Sequence, residues 1–216
     1  MTARDRILAA IRSALPRSRP SPAAIAAEAA ALLAAPDLAR PKLAGETLVE
    51  AFERKATALG TTLDRVPAMA AVPRAVRRYL EGQGLPLALA LQRMSALTGL
   101  DWSGFDTHGD LAPNETAALG LALWGIAESG SLVVHSGADT PILLSFLPLH
   151  HLVLLREATL LPYLEDYAVR LASSDSPRNA ILITGPSGTT DIEGSYVRGA
   201  HGPGFLHVIL IAAGGE

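Results

Sequence analysis

Two short segments concentrate the chemistry available to this sequence. The apolar run Ala180 to Thr184 opens into Gly185, Pro186, Ser187 and Gly188, and Thr189, Thr190, Asp191, Ile192 and Glu193 follow with the pattern of a helix start. A glycine-rich loop between a strand and a helix aims several backbone N–H groups at one point, beside the positive end of a helix dipole, and so holds small anions. Ser187, Thr189 and Thr190 would add hydroxyls. Asp191 would repel an anion unless it faces away, binds a ligand hydroxyl or pairs with a base. The loop lacks the Gly-Lys-Ser/Thr of a P-loop and the G-x-G-x-x-G of a dinucleotide site. Thr190 and Glu193 also fit a capping box above an ordinary Gly-Pro turn, so cradle and plain turn both stand at this point.

The second segment runs from Gly125 to Ser131. Glu128, followed by Ser129, Gly130 and Ser131 just ahead of a strand, would serve at a cleft as base, nucleophile or hydroxyl binder. The competing reading is a turn whose glutamate caps backbone N–H groups. His201, between Gly199 and Gly202, is the histidine best placed at a cleft rim, whereas His207 opens an apolar strand and reads as a satisfied core residue. His150 and His151 are adjacent on a strand and so point to opposite faces. No histidine spacing suits zinc, and neither a metal nor a cofactor is expected.

Strands and helices must bring these segments together. Thr62 to Val66, Leu132 to Val134, Leu152 to Leu155, Ala180 to Thr184 and Leu206 to Ala212 read as strands, and Leu85 to Leu91 is a further apolar run. Helices are predicted from Thr47 (a capping box with Glu50) to Gly60, over Arg74 to Glu81, near Pro141 to Leu147 and over Leu160 to Leu171. Leu119 to Trp124 is ambiguous, and Met94 to Ala112 reads as loop. Alternating helices and apolar strands predict an α/β fold, a mainly parallel sheet with helices on both faces. Ligands in such sheets sit at the carboxyl ends of strands, which is where the Gly185 loop is expected. Upstream, Ala3 to Leu15 and Ala23 to Ala35 read as helices between proline-rich breaks. Residues 1–41 are therefore taken as a helical arm and linker, and residues 42–216 as the α/β domain.

Composition narrows the function classes. A chain of 216 residues that is 49% hydrophobic can bury one substantial core. Its charged content of 18% is low, but alanine accounts for much of that, and no apolar run approaches the ~18 residues of a spanning helix. A net charge of −3 exerts no general pull on nucleic acid or anionic lipid. With no cysteine, the chain offers neither disulfides nor thiolate ligands for iron–sulfur clusters. Arg4, Asp5, Arg6 and Arg12 interrupt the first apolar stripe, so no secretory signal is read and a cytoplasmic location is expected.

Four ordered motifs carry a resemblance: GIAESGSLVV, P-x-L-L-S-x-L-P-L-H-H, ITGPSGTTDIE and G-x-HGPGFLHVILI. From about Leu48 onward the chain resembles the lactate utilization protein C family, or LUD domain. That resemblance implies the NagB/RpiA/CoA-transferase-like fold. It also implies a part in bacterial oxidation of lactate to pyruvate, beside iron–sulfur and cysteine-rich subunits. With no cysteine that part is read as non-redox, binding a small carboxylate or anion, or a partner, at a pocket formed by Glu128 to Ser131 and Gly185 to Asp191. Glu128 is comparable by fold analogy with the catalytic glutamate of CoA-transferases, whose local sequence is also Glu-x-Gly. The alternative is an independent enzyme acting on a sugar-phosphate or acyl-CoA substrate through Glu128. A third reading is an assembly protein whose first helix docks on a partner. Open sheet edges would also permit a homodimer.

Overall fold

Six strands form one parallel sheet whose four inner members, residues 88–91, 117–121, 150–156 and 205–211, are largely buried, as a sheet covered on both faces requires. The edge strands 62–66 and 106–108 carry polar, partly exposed residues. The computed structural model describes residues 2–15, 20–38, 40–43, 47–173, 176–190 and 194–215. The chain divides into two compact units, Met1–Lys42 and Leu43–Glu216. The first contains α1 (Ala3–Ala14), whose N-terminus is closed by a Thr2–Asp5 capping box, and α2 (Pro22–Ala34), capped by Ser21.

The second unit begins with α3 (Leu48–Ala58), where Thr47 and Glu50 form the expected capping box. Then come β1 (Thr62–Val66), α4 (Val72–Gly82), β2 (Ala88–Leu91), the single turn α5 (Ser95–Thr98), β3 (Asp106–His108) and β4 (Ala117–Leu121). Next are β5 (Trp124–Ile126), β6 (Ser131–His135), β7 (His150–Arg156), β8 (Leu160–Leu161) and α6 (Leu164–Ala172). The chain closes with β9 (Ala180–Ile183), β10 (Gly188–Thr190), β11 (Tyr196–Arg198) and β12 (Phe205–Ile211). The main sheet has the order β1-β12-β7-β4-β2-β3, and every pairing in it is parallel. A smaller sheet, β8-β5-β6-β9, is mostly antiparallel, and β10 and β11 form a separate hairpin.

Period-2 alternation sends the side chains of β7 and β12 to two cores. Leu152, Leu154, Ile209 and Ile211 meet α4, which answers with Val72, Ala75, Val76 and Leu80 at helical spacing. Val153, Leu155, Val208 and Leu210 face the other way, against Phe52 and Ala56 of α3 and Leu132 and Val134 of β6. Each fully buried leucine or valine contributes about 1.5–3 kcal/mol. The expected mainly parallel α/β architecture is therefore present, with helices flanking the sheet.

Three expectations are corrected. The stretch read as loop, Met94 to Ala112, contains α5 and β3. The helix expected near Pro141 to Leu147 is a 3-10 turn over Ile142–Ser145. The helix start expected after the Gly185 loop is a β-hairpin: Gly188, Thr189 and Thr190 pair with Arg198, Val197 and Tyr196. Two β-branched threonines facing a Tyr-Val-Arg segment favour that ladder over a helical turn. Asp191, and the Thr190–Glu193 capping box, fall outside the described residues.

Candidate functional site

The two predicted segments meet because β6 and β9 are neighbours. Leu132 pairs with Ile183, which sets Ser131 beside Thr184. Their hydroxyl oxygens lie 2.7 Å apart, and Ser129 Oγ is 2.8 Å from Ser131 Oγ. A line of three hydroxyls thus runs from the β5–β6 turn to the residue preceding Gly185. Glycine is required at both bends. Gly130 has a φ of 69°, and a Cβ there would stand 2.4 Å from the Ala56 backbone nitrogen. Gly185 has a φ of 85°, with a Cβ position 3.1 Å from the Leu59 carbonyl oxygen. Both turns are pressed onto the end of α3; a side chain at Gly130 would collide with the backbone there, and at Gly185 it would be strained by the positive φ.

Glu128 lies close to this junction but faces another task. Its Oε1 accepts a hydrogen bond from the Leu164 N–H at 2.8 Å, in the first turn of α6, while its own N–H donates to the Pro162 carbonyl at 3.1 Å. A carboxylate in that position satisfies an orphan donor and complements the helix dipole. This is the capping arrangement that the sequence reading set against a catalytic one.

The Gly185 loop lies at the amino edge of the main sheet, not at the carboxyl edge. Pro186 packs by Gly60, just ahead of β1, and the Ser187 N–H donates to the Pro203 carbonyl, just ahead of β12, at 2.8 Å. The Ser187 carbonyl in turn accepts from the Gly199 N–H at 2.9 Å. The edge is reversed because β9 belongs to the small antiparallel sheet, so its end does not share the direction of the parallel strands. The loop runs directly into strand β10, so among the described residues no helix dipole reinforces it. The Ser187 amide is spent on the chain itself.

What the loop does form is a cavity of about 200 Å³. Thr184, Gly185, Ser187, His201 and Gly202 line its polar side and Phe146 part of its apolar side. A second hollow of about 430 Å³ shares Phe146, His201 and Gly202 with it and reaches Asn114 and Glu115. The structure thus gathers Gly185, Ser187 and His201 about one space. Ser129 and Ser131 connect to it through Thr184, Glu128 is turned to the start of α6, and Gly188, Thr189 and Thr190 lie in the hairpin.

Sequence reading missed a ring cluster along the same edge. Arg198 lies 4.4 Å over the Phe205 ring, Phe205 stacks on His150 at 4.3 Å, and the Tyr79 hydroxyl is 3.0 Å from His150 Nδ1. Tyr79 also stacks on His207 at 4.2 Å, and His207 Nδ1 is 2.8 Å from Thr62 Oγ1. Burial pushes the Tyr79 hydroxyl up to about 12. Burial, aided by Arg198, lowers the His150 pKa. His207, predicted as a satisfied core residue, is buried with Nδ1 paired but Nε2 without a partner. His151 lies on the opposite face from His150, fully buried, beside Gln92, Gly120 and Ser145. The only signal for this cluster was the even spacing of His150 and His207 with core positions on their strands. Among the described residues, no group of three histidine or acidic side chains is placed to hold a metal ion, and no helix is long and apolar enough to cross a membrane.

Residues 112–211 match the LUD domain. The uncharacterized protein YkgG of Escherichia coli K12 is 38% identical over 109 residues, 47% of each chain. Lactate utilization protein C of Anoxybacillus flavithermus is 31% identical over 113 residues, 51% of each chain. The protein of that name in Shouchella clausii is 29% identical over 153 residues, covering 68% of this chain and 64% of its own. The chain thus spans about half the length of the first two relatives. A crystal structure of a DUF162 family protein from Deinococcus radiodurans shares the fold, with a TM-score of 0.59 and 22% identity over 76% of this chain and 96% of its own.

Proposed function

From the premise that residues 112–211 form a LUD domain, we propose that this chain serves lactate utilization as a non-redox component, binding a small carboxylate at the amino-edge cavity. The observation that carries this reading is the hollow of about 200 Å³ walled by Gly185, Ser187 and His201. It is smaller than the ~300–1,000 Å³ pockets that take drug-sized ligands, and so suits a three-carbon acid. The Ser187 hydroxyl and the His201 ring supply donors for a carboxylate, and Phe146 supplies an apolar wall for a methyl group. The redox step belongs to other proteins in this reading, since a chain without cysteine brings no thiolates to an iron–sulfur cluster. Iron–sulfur and cysteine-rich partners are therefore part of the proposal. Glu128 has no chemical role in it, being engaged at the start of α6.

Titration of the full chain with L-lactate and with pyruvate, followed by amide NMR, tests the binding. Saturable shifts at Ser187 and Gly202, weakened about tenfold in His201→Ala, are expected for loss of one hydrogen bond to a charged group. Shifts that ignore both His201→Ala and Ser187→Ala would remove the site. Lactate oxidation by the isolated chain with an artificial electron acceptor would overturn the non-redox assignment.

A further inference from the structure

The carboxyl edge of the main sheet, left empty by the Gly185 loop, holds a larger hollow of about 570 Å³. It is lined by Ser136, Gly137, Thr140, Ile142, Arg178 and Asn179. Gln92, immediately after β2, ties it to the sheet. The Gln92 N–H donates to the Leu119 carbonyl at 3.0 Å, its Oε1 accepts from the Leu121 N–H at 2.7 Å, and its Nε2 donates to Thr140 Oγ1. The chain leaves β2 for β3 on one side and returns through β4 on the other, so strand order reverses here. Open parallel sheets bind ligands at such a reversal, because the two connections diverge and leave a crevice.

The hydrogen-bond pattern sets the polarity of this hollow. Ser136 Oγ accepts from both the backbone N–H and the Nδ2 of Asn179, each at 3.1 Å. Thr140 Oγ1 accepts from Gln92 Nε2. With their acceptor positions occupied by nitrogen donors, both hydroxyls have their own hydrogens left to give. Arg178 is exposed, and among the described residues its guanidinium has no hydrogen-bond or ion-pair partner. Among the described residues no carboxylate lines the space, although Asp139 is in the turn between Gly137 and Thr140. The site therefore presents one forked cation and two hydroxyl donors above the apolar Ile142 side chain. That is the complement of an oxyanion.

We propose that the hollow between Ser136 and Arg178 is an oxyanion-binding site, separate from the amino-edge cavity, which takes the carboxylate or phosphate group of a small organic ligand. Arg178 pairs with two of its oxygens, and Ser136 and Thr140 donate to lone pairs that the guanidinium leaves open. The test titrates the full chain with inorganic phosphate and, separately, with L-lactate, following the amide resonances of Ser136, Gly137 and Asn179. At least one anion shifts them saturably, and the tighter of the two identifies the group preferred. Arg178→Ala weakens that binding tenfold or more, about the loss expected for a charge-assisted pair. Arg178→Lys recovers part of it, keeping the charge without the fork. Thr140→Val weakens binding at unchanged fold, judged by the dispersion of the remaining resonances. Equal binding in wild type and Arg178→Ala overturns the proposal. So does the absence of saturable shifts at these three amides with both anions.

Discussion

Acidification should unfold this protein through two histidines that the fold keeps neutral. Burial holds both His151 and His207 down to about 4, from an ordinary value of 6.5. For His207, Arg78 adds to that lowering while Asp64 opposes it. Below pH 6.5 the unfolded chain takes up a proton at each position that the folded chain refuses until about pH 4. Stability is therefore complete above the unfolded value and falls as pH drops through the interval between the two. A shift of this size is worth about 3 kcal/mol per histidine once both states are protonated, and about 2 kcal/mol of that is lost by pH 5. Urea unfolding at pH 8 and pH 5 measures the loss, in wild type, His151→Leu and His207→Leu. Carboxylates titrate over the same range, so the informative quantity is the change in pH dependence between wild type and variant. Each variant, whatever its stability at pH 8, should lose about 2 kcal/mol less than wild type on acidification. An identical pH dependence in all three proteins would refute the assignment of neutral buried rings.

Other expectations follow from single contacts. Gly130→Ala places a Cβ against the Ala56 backbone at a positive φ, so it should cost about 2 kcal/mol or more and lower the thermal midpoint measured by calorimetry. Glu128→Ala removes the acceptor for the Leu164 N–H, and a loss of about 1 kcal/mol in urea unfolding is expected. Lactate or pyruvate binding at the amino-edge cavity should persist in that variant, and its abolition in a folded protein would return Glu128 to a chemical role.

Much of the fold could be read from local patterns. The span Thr62 to Val66 was predicted to the residue, and the Thr47–Glu50 capping box marked the start of α3 correctly. Short-range periodicity suffices for such elements, because side-chain spacing decides which face is buried. The candidate site was legible only in part. Gly185, Ser187 and His201 share a cavity, yet nothing in the motifs that contain Thr184 and Gly202 shows that they border it, and Phe146 stands at an unspecified motif position. Their proximity depends on pairings between β6 and β9 and on the approach of the Gly199–Gly204 turn to Ser187. Arg178 was invisible for the same reason: a lone exposed arginine has no signature until Ser136 and Thr140 fold beside it.

The sequence by itself determined the succession of apolar strands and amphipathic helices, and hence a covered parallel sheet, because those properties reside in neighbouring residues. Tertiary structure alone decided that Gly185 opens at the amino edge, that Thr189 and Thr190 enter a hairpin, and that Glu128 caps α6. Each of those outcomes depends on partners many residues away. Competing hydrogen bonds of similar local strength are resolved only when the assembled sheets select among them.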